Sequence, residues 1–437
     1  MLSFLRKISI LCLTILVLSA CSEKPKVQGV RLSVVDLEKN LTPDIAKEEL
    51  LSFRLPQPVK NTRWTQTGGN ASHYVLHPDL SAKPELAWIQ KIGSGLSNDS
   101  YLLSTPVVAD DSLYALDSLL TVSKYDLKNG RKIWSRSLNT DKENKIAVKG
   151  IGLALSEERL FVATGLKNIV ALDVKTGKTL WEYTPKFASR SAPAVAEGKV
   201  FVVTGSNLLI VLDEKTGQLL WSNKASKERT SLLGNGAAAI QDGIAIVPFS
   251  SGEVKAFDTS SGVMLWSDIL ASGRVYNTQS NLTHISANPV ICKETVILGG
   301  NANMVEAVDL KTGERKWLKK IGINNQPFVT EQITFLLSNT NEVIALHTPT
   351  GKILWTYQME SFENSSEREK QLVWQGPVLV GNRLILAGSD GRVLSLSPLS
   401  GEVLGWEKLP SETHLPPIAV QGKLIFLTDD AELVVYQ

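Results

Sequence analysis

Side chains able to do metal, acid–base or nucleophilic chemistry are few in this chain and widely spread. Its five histidines, His73, His77, His284, His347 and His414, carry no HExxH motif for zinc. No G-x-S-x-G elbow, phosphate-binding glycine loop or neighbouring Cys–His pair is present. Calcium asks for several clustered oxygens, whereas the acids here fall singly on hairpin turns. The two acid pairs, Asp110-Asp111 and Asp429-Asp430, also lie at turn positions, where capping accounts for them. Of three cysteines, Cys12, Cys21 and Cys292, no two are adjacent, and Cys292 follows the apolar run Pro289-Val290-Ile291 as a small hydrophobe. No catalytic, metal or cofactor site emerges.

The strongest pattern is structural. Trp88, Trp134, Trp181, Trp221, Trp266, Trp317, Trp355 and Trp406 recur at intervals of 38 to 51 residues, the length of one four-stranded propeller blade. Six follow a turn with an acid, or its substitute, eight residues before Trp and glycine four before it. These are Asp126-Gly130, Asp173-Gly177, Asp213-Gly217, Asp258-Gly262, Asp309-Gly313 and His347-Gly351. Ser397-Gly401-Trp406 carries one residue more. Runs such as Leu160-Phe161-Val162-Ala163-Thr164 and Asn168-Ile169-Val170-Ala171-Leu172 precede the turns, with the β-branched and aromatic content of strands. Each tryptophan is expected to be buried between neighbouring blades.

The last runs, Leu424 to Leu427 and Glu432 to Tyr436, have no Trp strand after them, and Leu86-Ala87-Trp88-Ile89 has no three strands before it. Joining the two completes an eighth blade and removes an exposed edge. The predicted fold is all-β: an eight-bladed propeller over residues 82–437, four antiparallel strands per blade.

Residues 1–20 read as a signal peptide. Arg6 and Lys7 precede the apolar stretch Ile8 to Leu18, too short to span a bilayer comfortably. Leu18-Ser19-Ala20-Cys21 resembles the bacterial lipobox, which makes Cys21 the acylated first residue of the mature chain. Ser22 rather than Asp after it points to the outer membrane. The 46 Lys and Arg exceed the 44 Asp and Glu only by Arg6 and Lys7, so the mature chain is formally neutral and offers no basic footprint for nucleic acid. Residues 21–81 form anchor, linker and entry segment. Within them Thr42-Pro43-Asp44 is expected to cap a short helix from Ile45 to Phe53 that docks on the ring by an apolar face.

The Trp-bearing blades, with the entry stretch Trp64-Thr65-Gln66-Thr67-Gly68-Gly69-Asn70, resemble the PQQ-type propeller superfamily over residues 64–437. For its dehydrogenases the resemblance implies an adjacent cysteine pair beside the quinone, acid and amide ligands to calcium, and an aspartate base. This chain has no adjacent cysteines and lacks long blade insertions. With its lipobox it resembles instead the BamB-like outer-membrane assembly lipoproteins. That resemblance implies a cofactor-free scaffold on the periplasmic face of the outer membrane. The scaffold works in the β-barrel assembly (Bam) complex, with BamA and other Bam subunits as partners. Two loops are implied to touch BamA. One is Thr230-Ser231-Leu232-Leu233-Gly234 after Trp221, where Leu233 replaces an arginine and Arg229 stands nearby as its substitute. The other is Leu282-Thr283-His284-Ile285-Ser286-Ala287-Asn288-Pro289, with His284 and Ser286 in place of two acids. Two alternatives stay open: a ligand- or glycan-binding propeller using loop aromatics (Tyr101, Tyr276, Phe328, Trp374), and a PQQ-dependent dehydrogenase.

Overall fold

Each blade forms for the same local reasons, and the third shows them well. Lys199–Val203 and Leu208–Asp213 alternate against one another with their central residues buried, and Leu219–Lys224 closes the outer edge. At the turn between the last two strands, Asp213 Oδ1 accepts the backbone N–H groups of Lys215 and Thr216 and the Thr216 hydroxyl. Those bonds, the Thr216 hydroxyl first, hold the Asp213 carboxyl below the usual carboxylate range. Gly217 then adopts φ +71°, the left-handed backbone that lets the chain reverse. In the sixth blade His347 takes the Asp place: its Nδ1 meets Thr350 Oγ1 at 2.8 Å, and its carbonyl still accepts the Gly351 N–H.

The computed structural model describes residues 41–97, 104–139, 151–165, 168–226, 234–270, 284–364 and 367–437. Within residues 42–437 they form eight four-stranded antiparallel sheets and one small hairpin. Blades one to seven follow chain order, from Val107–Ala109 to Val403–Lys408. The eighth joins Ile418–Val420, Lys423–Leu427 and Glu432–Tyr436 to Leu86–Lys91 from the other end of the ring's sequence. Glu85 and Gln437 exchange backbone hydrogen bonds at 2.9 and 3.0 Å, so closure proceeds as expected.

The tryptophans lock neighbouring blades. Trp88 lies on Gly130 of the first blade, Trp134 on Gly177, Trp181 on Gly217, Trp221 on Gly262, Trp266 on Gly313, Trp317 on Gly351 and Trp355 on Gly401. A Cβ at any of these glycines would fall within 2.6–2.8 Å of the indole. Each indole N–H also donates to the carbonyl one residue beyond the Asp position, at 2.7–3.2 Å. The turn glycine thus serves twice, once for its φ and once for its bare face.

Trp406 departs from the expectation. In the first six blades the Trp pairs with the residue two before the Asp position, as Trp221 pairs with Val211. In the seventh blade Gly405 pairs with Ser395 at that place, and Trp406 pairs with Leu394. One inserted residue shifts the side chain to the other face of the sheet, because strand side chains alternate with period two. Trp406 there packs 6.1 Å from Trp374 and under the Arg392 guanidinium, and stays 44% exposed.

The entry segment does more than lead in. Residues 61–78 run across the inner strands of the blades. Trp64 exchanges backbone hydrogen bonds with Val108, Thr65 accepts from Leu155, and Gln66 Oε1 accepts from Val195. Ala71 accepts from Ile240, Ser72 from Ile291, Pro78 from Gly381, and Asn61 from Gln421. Inner strands are edges with unpaired backbone groups, and this segment pairs with some of them. Upstream, Lys47–Ser52 is a 3-10 stretch with no side-chain cap, not a Thr42-capped α-helix. Asp44 is engaged elsewhere, by the Ile353 N–H and Lys319, each at 2.8 Å. The helix still docks on the ring, with Ile45, Leu50 and Phe53 against the core. The expected signal peptide and Cys21 lie outside the described residues.

Candidate functional site

The two loops singled out from the sequence follow the third and fourth blades, and the structure brings their described ends together. Gly234, at φ +92°, turns its carbonyl onto His284 Nε2. Gly236 donates to the Ile285 carbonyl at 3.2 Å, and Ala237 to Asn288 Oδ1 at 2.7 Å. Beneath them Ile285 is buried in the apolar core of the fourth and fifth blades. On the flanks, Asn235 donates to the Arg190 carbonyl, and the Ser286 hydroxyl meets Asn324 Oδ1 at 3.0 Å. The result is a clasp that ties the C-terminal ends of the two inter-blade connections to each other. Arg229, Leu232, Leu233 and Leu282 lie outside the described residues.

His284 occupies an unexpected place for a surface contact: its side chain is buried and turned inward. Burial lowers its pKa and Arg190 nearby adds to that, against the Gly234 carbonyl, which favours a proton. A neutral ring donating from Nε2 satisfies the geometry and leaves Nδ1 unprotonated. The histidine at this place is therefore an internal tie, which the sequence pattern does not reveal. Ser286 remains partly accessible.

Other candidate chemistry is absorbed by structure. His73 and His77 do stand at HxxxH spacing, but their rings serve different elements. His73 Nδ1 donates to the Pro289 carbonyl at 2.7 Å. His77 donates from Nδ1 to Pro56 and accepts the Asn382 N–H at Nε2. His414 pairs with Asp429 at 2.7 Å. Cys292 is buried, as expected. Among the described residues no three His, Cys, Asp or Glu side chains gather as a metal site. Over the inner strands lies a cavity of about 200 Å³ with apolar walls, including Trp64, Phe328 and Ile418, and amides such as Asn288, Asn324 and Gln326. Among the described residues that line it there is no carboxylate. That donor set does not fit a quinone held with calcium.

A family model described as outer membrane protein assembly factor BamB matches residues 120–357 and 322–437. The chain belongs to the BamB family. BamB of Shigella dysenteriae and of Escherichia coli K12 are each 31% identical over 353 residues, 79% of this chain and 87% of theirs. BamB of Legionella pneumophila is 27% identical over 351 residues, 80% of this chain and 87% of its own. Among solved structures, BamB from Moraxella catarrhalis is similar with a TM-score of 0.65 at 17% identity, covering 80% of this chain and 100% of that one. The quinohemoprotein alcohol dehydrogenase of Comamonas testosteroni is similar with 0.67 at 13% identity, covering 90% and 82%. At such identities the two structures establish the shared fold alone.

Proposed function

We propose that this BamB-family propeller is a non-catalytic scaffold lipoprotein of the Bam complex. It is held on the periplasmic face of the outer membrane by lipid on Cys21 and binds BamA to support assembly and insertion of outer-membrane proteins. The observation that carries this reading is the clasp between Gly234 and His284. The described ends of two loops separated by a whole blade in sequence are tied together there, which supports a single docking face. Arg229, Leu232, Leu233 and Leu282 extend from the two sides of that clasp in sequence, and Ser286 sits beside it. The apolar pair Leu232-Leu233 supplies the central contact, since a few residues dominate most interfaces. Loss of the acids at His284 and Ser286, and of the arginine at Leu233, makes the contact more apolar. The curated relatives are named as assembly factors, in line with this role.

Affinity purification of the full-length protein from solubilised outer membrane is the deciding experiment. Wild type is expected to recover BamA and other Bam subunits. Leu232→Ala with Leu233→Ala weakens that recovery with an unchanged melting temperature, and Arg229→Glu weakens it by charge. Wild type recovering no Bam subunit defeats the proposal.

A further inference from the structure

The seventh blade differs from the others in a way that leaves a place unfilled. At the seven other interfaces an indole projects from the outer strand, lies on the next blade's turn glycine and donates to a turn carbonyl. Between the seventh and eighth blades both halves of that contact are missing. Gly405 stands in the Trp register, opposite Ser395. The eighth blade's third and outer strands, Glu432–Tyr436 and Leu86–Lys91, come from opposite ends of the ring's sequence, so no tight turn joins them. What remains is a cleft of about 370 Å³ walled by Leu80, Pro84, Ile385, Val393, Leu424 and Phe426. Gly405, Glu407 and Tyr436 also border it. No atom lies within 4 Å of where a Cβ on Gly405 would be, so that backbone faces open space.

We infer that this cleft receives a tryptophan side chain from a partner polypeptide. The molecule itself supplies the argument for the occupant, because seven equivalent spaces are each filled by an indole. Aliphatic and aromatic walls suit the ring faces, and Glu407, exposed at the edge, is an acceptor for the indole N–H. Nine of the ten tryptophans have places elsewhere in the ring, and the tenth, Trp406, borders the cleft but packs its ring on Trp374 and under Arg392, so the inserted side chain comes from another molecule. The cleft lies on the other side of the ring from the clasp of the third and fourth blades. It is therefore a second grip, independent of the BamA reading. A scaffold with two separated grips holds two partners, or two parts of one, at a fixed distance.

The test titrates the full mature protein with the peptide Gly-Trp-Gly, and separately with N-acetyl-tryptophanamide and Gly-Leu-Gly. Wild type is expected to bind the Trp peptide at least about tenfold more tightly than the Leu peptide, as for an aromatic anchor in a pocket. Gly405→Trp refills the cleft from within. It is expected to abolish binding and raise the melting temperature, while Gly405→Ser keeps both near wild type. Equal binding by wild type and Gly405→Trp overturns the inference, as does no binding of the Trp peptide at millimolar concentration. Binding of the free amide without the peptide assigns the cleft to a small aromatic molecule, which also overturns it. So does a wild-type dimer dissolved by Gly405→Trp, which makes a second copy the occupant, with its exposed Trp406 as the inserted ring.

Discussion

Trp221 lies face-on against Gly262 of the following blade and donates its indole N–H to the Thr259 carbonyl at 3.1 Å. Neighbouring blades share buried aliphatic cores, and each indole seated on a bare glycine adds a further joint between them. Phe201 and Phe257 flank the same indole at 6.1 and 5.9 Å, which makes this one of the better packed joints.

Trp221→Ala should therefore cost about 3–5 kcal/mol, the range for a large aromatic removed from a core. Trp406→Ala, exposed and turned to the other face, should cost under about 1.5 kcal/mol. Urea denaturation midpoints compare the two. Equal losses would show that the inserted residue in the seventh blade has no energetic consequence.

Deleting residues 82–92 removes the outer strand of the eighth blade together with Trp88 and its bond to Leu127. The exposed strand edge is then open to pairing with other chains. Aggregation or a much lower melting temperature is expected, against near wild-type behaviour on deleting residues 22–40. A monomeric deletion variant of normal stability would contradict closure by this strand.

Glu306 has a fully buried side chain 2.5 Å from the Arg315 guanidinium, which also pairs with Asp268 at 3.2 Å. Burial, with Asp268 nearby, pushes its carboxyl up to about 7 despite the arginine. The folded state then holds this proton more tightly than the unfolded chain, whose carboxyl titrates at its ordinary lower value. Its contribution to stability is complete at pH below the unfolded value and is lost as pH rises towards 7. The melting temperature should fall between pH 5 and pH 8, and Glu306→Gln should flatten that slope. An identical slope in the variant removes Glu306 as its source.

Cys21→Ser should move the protein from the membrane fraction to the soluble periplasm, because the thiol is the proposed acylation point. Fractionation followed by mass analysis of the N-terminal peptide checks it. A variant still fully membrane-bound argues for another means of attachment.

Reconstitution with PQQ and calcium should give no stoichiometric quinone absorbance and no dye-linked alcohol oxidation, since no carboxylate stands among the described residues that line the central cavity. A bound quinone would return the protein to the dehydrogenase branch of its fold.

Much of the architecture was legible because a propeller repeats. The Asp-to-Gly-to-Trp spacing is local chemistry, a side-chain cap followed by a left-handed residue and a strand, and it recurs often enough to count blades from sequence alone. Closure was legible for a similar reason: a blade lacking its outer strand at one end and a spare outer strand at the other have a single way to pair. Position across a sheet is different, because it depends on which residue opposes which. A single extra residue between Gly401 and Trp406 leaves the repeat recognisable, yet pairing turns the indole to the other face and leaves Gly405 in its place. His284 makes the same point at the loops. Its type and spacing say surface, and only the approach of Gly234 from the preceding blade makes it a buried tie. Residues 61–78 read as a lead-in because their partners are single carbonyls and N–H groups on successive blades, a pattern that exists only once the ring has closed.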